Sequence, residues 1–377
     1  MTQESIFKLR NMSTFCKFNK DEYICHEGEP GNEMYIILKG TVGIYLTNFF
    51  GSLTEIARIK DGDFFGEMAI FDNEPRSASC IALEETMCVA INKGNLREFF
   101  VNCPDLAELV VANMSNRIRH MNDKIYKNAY SVKRRNPPKF SIPSAYAFSH
   151  NVKEPYQNPK YFVESLHICP LCGRSFKAKS FSKHMMEVRS HQPDGKVEYV
   201  DGNPLWHEVY SCPNCHYSNH RLRFFQINAG NREQIKSVLQ NEQLPVLQSN
   251  YKRTPFDMLV QHYLQAIHLN EVINQDNFIR IGMLWLNLYW LSKEVEDERF
   301  AKYCAQKTVK KFRAVLDAQQ AFESDEKDAV ALALANLLEY LEIDTDDILE
   351  YCTIAADSSN EAISSQAKIM VKKYSHN

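Results

Sequence analysis

The chain has 377 residues, with 44 basic and 47 acidic side chains and a formal net charge of −3 at pH 7. Its 44% hydrophobic content supports two or three true cores, and the even charge balance excludes a protein that is basic overall, as many nucleic-acid binders are. Eleven cysteines with no secretory leader point to a reducing cytoplasm and away from a disulfide scaffold, and no apolar run suits a membrane span: Ile279 to Leu291 is too short and carries Arg280 and Asn287.

Short apolar or alternating runs open the chain: Tyr23-Ile24-Cys25, Met34 to Leu38, Val42 to Leu46 and Leu53 to Ile59. Turn signals separate them at Glu29-Pro30-Gly31-Asn32, Lys39-Gly40 and Asp61-Gly62-Asp63. Two more runs follow at Ala78 to Ala82 and Met87 to Ile91. This spacing predicts an antiparallel, jelly-roll-like β-barrel or sandwich.

Residues 64–79 break the strand pattern. Gly66-Glu67-Met68-Ala69 stands at the mouth of a short helical turn, and Arg76 follows the turn-forming run Asp72-Asn73-Glu74-Pro75. Free amides at a helix start donate to a phosphate, and glycine lets backbone approach a ligand. An arginine fork pairs phosphate oxygens, while a carboxylate, which only accepts, suits a sugar hydroxyl. The set fits a cyclic nucleoside monophosphate. The competing interpretation is a structural Glu67–Arg76 salt bridge in a barrel that binds nothing.

On these residues, together with Gly28-Glu29-Pro30-Gly31, Gly40, Asp61-Gly62-Asp63 and Pro75-Arg76-Ser77-Ala78, the stretch from about residue 10 to 126 resembles the cyclic-nucleotide-binding domain of the catabolite-activator and protein-kinase-A regulatory families. The resemblance implies that Glu67 holds the ribose 2′-hydroxyl and Arg76 the cyclic phosphate of cAMP or cGMP. Phe65, Gly66, Met68, Ala69, Ser77 and Ala78 would complete the site. Silent members of the superfamily usually lose the glutamate or the arginine, and both are present here.

Pro104-Asp105 opens a helix predicted over 104–126, with Val111, Met114, Ile118, Met121 and Ile125 stepping by three and four. Such a seam suits a homodimer, or a face packed on the chain's own barrel. Aligned with the activator family's dimer helix, Asn122 would reach the nucleotide base. No DNA-reading helix pair follows. Lys133-Arg134-Arg135-Asn136-Pro137-Pro138-Lys139 breaks any helix and opens a polar stretch that reads as a linker.

Cys169-Pro170-Leu171-Cys172 and Cys212-Pro213-Asn214-Cys215 are two C-P-x-C knuckles, with residues 173–211 between them. Four thiolates so paired predict a structural, closed tetrahedral zinc site. A redox dithiol wants a helix N-terminus in a βαβ setting. The histidines nearby, His184, His191, His207 and His216, are not needed as ligands. Between the knuckles, Phe181 to Val188 is expected to be helical and Val197 to Val200 a strand. With Asn203-Pro204-Leu205-Trp206-His207-Glu208-Val209 and Tyr217, this region resembles a bacterial family catalogued as domain of unknown function 2225, from about residue 165 onward. His216 stands where that family usually has glycine.

Helical periodicity then runs through 256–269, 277–295, 301–317, 328–341, 346–356 and 360–374. Trp285, Tyr289, Trp290 and Phe278 read as core. The resemblance implies a tetratricopeptide-like array; without a clean 34-residue period, a plain bundle stands beside it.

The expected organisation is thus a cyclic-nucleotide-binding domain (1–128), a linker (129–160), a four-cysteine zinc module (161–228) and an all-α region (229–377). The expected function is a cytoplasmic, non-enzymatic cyclic-nucleotide receptor whose helical region meets a protein partner, engaging neither membrane nor nucleic acid. A nucleic-acid regulator using the zinc ribbon and basic linker, and a ligand-free scaffold, remain as alternatives. An enzyme ranks last, because no nucleophile–base pair or open metal site is visible.

Overall fold

The computed structural model describes residues 14–47, 53–72, 75–102, 104, 110, 114, 140–146, 152–227, 229–241, 254–273, 277–317, 324–343 and 345–375. The chain divides into two compact units, residues 1–48 with 53–135 and residues 49–52 with 136–377. The expected dimer seam at Val111, Ile118, Met121 and Ile125, Asn122, and the basic run 133–135 lie outside the described residues.

The first unit is a sandwich of β1 (Thr14–Phe18), β2 (Tyr23–Cys25), β3 (Glu33–Lys39), β4 (Thr41–Thr47), β5 (Leu53–Lys60), β6 (Phe64–Phe65), β7 (Ser79–Ala82) and β8 (Thr86–Asn92). They form two antiparallel sheets, ordered β1-β8-β3-β6 and β2-β7-β4-β5. The run Met34 to Ile37 is apolar without alternation because its sheet is covered on both faces. Met34 and Ile36 join Val89, Ile91 and Phe99 of α2 (Leu96–Asn102) on one side. Tyr35 and Ile37 meet Val42, Ile59 and Cys80 of the second sheet on the other. α1 (Glu67–Asp72) interrupts the strands between β6 and β7, where the sequence places the cassette.

The second unit opens with three hairpins: β9 (Phe162–Ile168) with β10 (Ser175–Phe181), β11 (Val188–His191) with β12 (Val197–Tyr199), and β13 (Val209–Ser211) with β14 (Ser218–His220). The expected helix over Phe181 to Val188 is not formed; a single 3-10 turn occupies Lys183–Met185. Phe181 is claimed as the last residue of β10, paired with Phe162 and ring-packed on it at 5.3 Å. Too few residues remain before β11 for a helix to propagate.

Helices α3 (Ala229–Asn241), α4 (Pro255–Ile273), α5 (Phe278–Glu294), α6 (Glu298–Asp317), α7 (Ser324–Tyr340), α8 (Thr345–Ala356) and α9 (Glu361–Tyr374) follow. Consecutive members from α4 onward pack on one another. α5 is buried continuously from Ile281 to Ser292, and Trp285, Tyr289 and Trp290 are core residues as expected. Leu205, Trp206 and Val209 join the same core, as does Tyr146, whose hydroxyl donates to Asp257 of α4. The hairpin β11–β12 is tied to α5: Trp290 Nε1 donates to Asp194 at 2.9 Å, and Lys196 pairs Glu294 at 2.6 Å. Among the described residues no helix is long and apolar enough to cross a membrane.

Candidate functional sites

Arg76 lies in the segment entering β7, and its backbone is fixed before its side chain is considered. Its N–H donates to Glu29 O at 2.9 Å, and its carbonyl accepts from Gly28 N at 2.8 Å. The guanidinium is buried, at 6% exposure. Nη1 donates to Glu33 O at 2.6 Å and to Gly66 O at 2.9 Å, and the cation lies 5.8 Å from the centre of the Tyr35 ring. Nε is buried with no hydrogen-bond partner among the described residues. No carboxylate among the described residues forms an ion pair with Arg76, Glu67 included, so the structural salt bridge weighed above is not formed. A buried cation held only by carbonyls and a ring is incompletely compensated, and an anion is the group that would complete it.

Two glycines make room for this side chain. A Cβ on Gly31 would collide with Arg76 Nε and Cζ, and one on Gly66 with Nη1. Gly66 also has φ +76°, the left-handed turn that ends β6 and starts α1. Glu67 is the first residue of α1 and is buried. Phe65 is stacked on Tyr35 at 5.1 Å, and Ala69 is also buried, so both offer a ligand backbone more than side chain. Met68 is exposed, with Ser77 Oγ 3.4 Å from its sulfur. The Ala78 carbonyl faces Cys25 Sγ at 4.0 Å. Glu33, Tyr35 and Ser79 escaped the sequence reading. Their signal is weak, because they support the site through a main-chain carbonyl, a ring face and a hydroxyl that accepts from Glu27 N at 2.9 Å.

The four cysteines converge. Cys169 and Cys215 have their sulfurs 3.6 Å apart, Cys172 and Cys212 3.7 Å, and all four lie within 4.8 Å of one another. Zinc bound tetrahedrally at about 2.3 Å per thiolate requires sulfur–sulfur edges of about 3.8 Å, so the donor set fits the ion. The two knuckles fold alike. Gly173 N donates to Cys169 O and His216 N to Cys212 O, both at 2.9 Å. Gly173 and His216 occupy the equivalent left-handed position, at φ +73° and +59°. Asn214 Nδ2 donates to Cys172 Sγ at 3.4 Å. Cys169 and Cys212 are buried in a cluster with Tyr217, Phe224, Ile235 of α3 and Leu269 of α4. A metal here would therefore join hairpins to helices.

The Asn-Pro-Leu approach to the second knuckle has a local cause. Asn203 Oδ1 accepts from Leu205 N at 3.1 Å and caps the 3-10 turn Pro204–His207. The turn ends at Glu208, a fully buried carboxylate that pairs Lys183, His220 Nε2 at 3.0 Å and Arg221 Nε at 3.5 Å. Burial pushes its pKa up, but the Lys183 charge and the His220 hydrogen bond prevail and hold it well below the usual range.

Residues 15–103 match the family model described as cyclic nucleotide-binding domain, and residues 162–377 match one described as uncharacterized protein conserved in bacteria (DUF2225). A "CRP-like cAMP-activated global transcriptional regulator" of Mycobacterium tuberculosis is 30% identical over 108 residues, 29% of this chain and 48% of that protein. A "Cyclic AMP receptor protein" of Thermus thermophilus is 29% identical over 96 residues, 26% of this chain and 44% of that protein. The chain thus spans just under half the length of these curated relatives. The solved Thermus thermophilus catabolite activator protein aligns at 22% identity and TM-score 0.32, covering 34% of this chain and 61% of that one.

Proposed function

We propose, from the premise that the chain belongs to the bacterial DUF2225 family and carries a cyclic nucleotide-binding domain ahead of the family region, that it is a non-enzymatic, cytoplasmic receptor for a cyclic mononucleotide. The observation that carries this reading is the buried Arg76 guanidinium with no carboxylate partner among the described residues. The cyclic phosphate would accept from Arg76, and the ribose 2′-hydroxyl would donate to Glu67, as in the families resembled. The names of the curated relatives speak of cAMP, so cAMP is the first ligand to try and cGMP the second. Ligand binding would favour one conformation of the first unit and alter how the DUF2225 region meets a protein partner. That region would be held together by one structural zinc ion on Cys169, Cys172, Cys212 and Cys215, a closed set with no open coordination position.

Calorimetric titration with cAMP, cGMP and cyclic dinucleotides tests the input. Wild type should bind one cyclic mononucleotide and Arg76→Ala none, with both variants folded. Equal affinity in the two proteins would remove Arg76 from the site. Metal analysis should return about one zinc per chain; a folded, metal-free protein would refute the four-thiolate reading.

A further inference from the structure

The sandwich contains two directly opposed cysteine pairs, Cys25 with Cys80 across β2–β7 and Cys16 with Cys88 across β1–β8. Opposed residues in an antiparallel ladder have Cβ atoms about 4.5–5.5 Å apart, and a disulfide needs about 3.5–4.5 Å. A shift of roughly 1 Å closes such a pair. The β2–β7 ladder carries a register irregularity between Tyr23 and Cys25, where that movement is easiest.

Cys25 and Cys80 differ from the other pair in what lies beyond them. Beyond Cys25, where the ladder ends, Glu27 N donates to Ser79 Oγ, Gly28 N to Arg76 O, and Arg76 N to Glu29 O. The pair therefore anchors the segment that fixes the Arg76 backbone. We propose that Cys25 and Cys80 are a peroxide-sensitive dithiol, and that its closure to a disulfide tightens the nucleotide site by fixing the strand pair that carries Arg76.

The chemistry supports the choice of pair. Both sulfurs are buried; the neighbouring Cys80 thiol lowers the Cys25 pKa against the effect of that burial, with help from the Arg76 charge. Burial instead raises Cys16, and pushes Cys88 up to about 12. The Cys25 thiolate attacks a peroxide oxygen. The O–O bond breaks, hydroxide leaves as water on taking a proton, and Cys25 becomes a sulfenic acid. Cys80 sulfur then attacks the Cys25 sulfur, the S–S bond forms, the S–O bond breaks, and a second water departs with the Cys80 proton. Two thiols lose two electrons and one peroxide becomes two waters.

The test uses the zinc-loaded full chain treated with hydrogen peroxide, then alkylated under denaturing conditions and mapped by mass spectrometry. The expected product has lost the mass of two hydrogens, yields a Cys25–Cys80 cross-linked peptide that dithiothreitol removes, and retains Cys16 and Cys88 as alkylated thiols. In Cys80→Ser, dimedone should label Cys25. Recovery of Cys25 and Cys80 as free thiols, or a link through Cys16 or Cys88, overturns the site, and the wild-type map decides this even if Cys80→Ser fails to fold. The affinity arm rests on the proposed nucleotide reading. Oxidation should lower Kd by roughly 2- to 10-fold, the effect of ordering one side chain in advance. A disulfide with unchanged Kd overturns the coupling alone. No nucleotide binding in either redox state overturns the receptor reading and the affinity arm with it, leaving the covalent result to stand.

Discussion

Gly31→Ala tests the nucleotide site without touching its charges. A Cβ at residue 31 would stand 2.7 Å from Arg76 Cζ and 2.9 Å from Cδ, and closer still to Nε. Ordinary contact begins at 3.4 Å, so Cζ must retreat by about 0.7 Å. The neighbouring backbone cannot absorb this easily, because Gly28 and Glu29 hydrogen-bond the Arg76 main chain on both sides. The guanidinium keeps its charge and loses its position. A hydrogen bond to a charged group contributes about 1.5–3 kcal/mol. Losing one geometrically good phosphate contact should therefore raise Kd roughly 10- to 150-fold. Isothermal titration of wild type, Gly31→Ala and Arg76→Ala with cAMP and cGMP measures this, with the ligand-free melting temperature as control. Gly31→Ala should fall between the other two proteins. Wild-type affinity in Gly31→Ala, alongside lost binding in Arg76→Ala, would refute the argument that guanidinium placement matters beyond its charge.

His216 carries a side chain at φ +59°, a conformation that costs a non-glycine residue about 1–2 kcal/mol. His216→Gly should raise the unfolding free energy by roughly 1 kcal/mol without changing the zinc content, and Gly173→Ala should lower it by a similar amount; urea melts of the zinc-loaded protein report both. Glu208→Gln should destabilise the chain by about 3–5 kcal/mol at neutral pH, because Lys183, His220 and Arg221 lose a buried partner. The folded Glu208 pKa is depressed, so its contribution is present above the unfolded carboxylate value, about 4.3, and is lost as pH falls below it. Wild type should therefore lose stability more steeply than Glu208→Gln below about pH 4.3, and parallel pH profiles would refute this.

What the sequence disclosed follows from how local the cause is. Glu67, Arg76 and Gly66 were legible because turn, helix start and charge fall within one short segment. The four cysteines were legible because each knuckle is closed by its own backbone, Gly173 N to Cys169 O and His216 N to Cys212 O. Helices α4 to α9 were legible because burial is periodic along α6, α8 and α9, and α4, α5 and α7 are long and apolar enough to leave no other assignment. The failure at Phe181 to Val188 has the opposite origin. That segment carries a helical pattern, yet Phe181 is drawn into β10 by Phe162 and by the Arg221 guanidinium, 4.1 Å from its ring centre. Neither partner is adjacent in sequence.

The same distinction governs the nucleotide site. Sequence supplied a glutamate and an arginine and left two outcomes: they neutralise each other, or the arginine is kept for an outside anion. Spacing cannot separate these, because residues nine apart across a turn can meet or diverge. The fold separates them by giving Arg76 two carbonyl acceptors, one from Glu33 on β3 and one from Gly66 beside α1. Both are neutral. They aim the guanidinium and leave its charge in place, while Gly31 and Gly66 press on it where any side chain would displace it. A guanidinium that is positioned but not neutralised is an arrangement a stability argument does not favour, since taking an uncompensated ion out of water costs on the order of several kcal/mol. On the proposed reading an anion arriving from outside completes it, and Arg76→Met gives that proposal its own measure. The ligand-free protein should melt no lower than wild type, and the stabilisation that a saturating cyclic nucleotide confers on wild type should be absent from the variant.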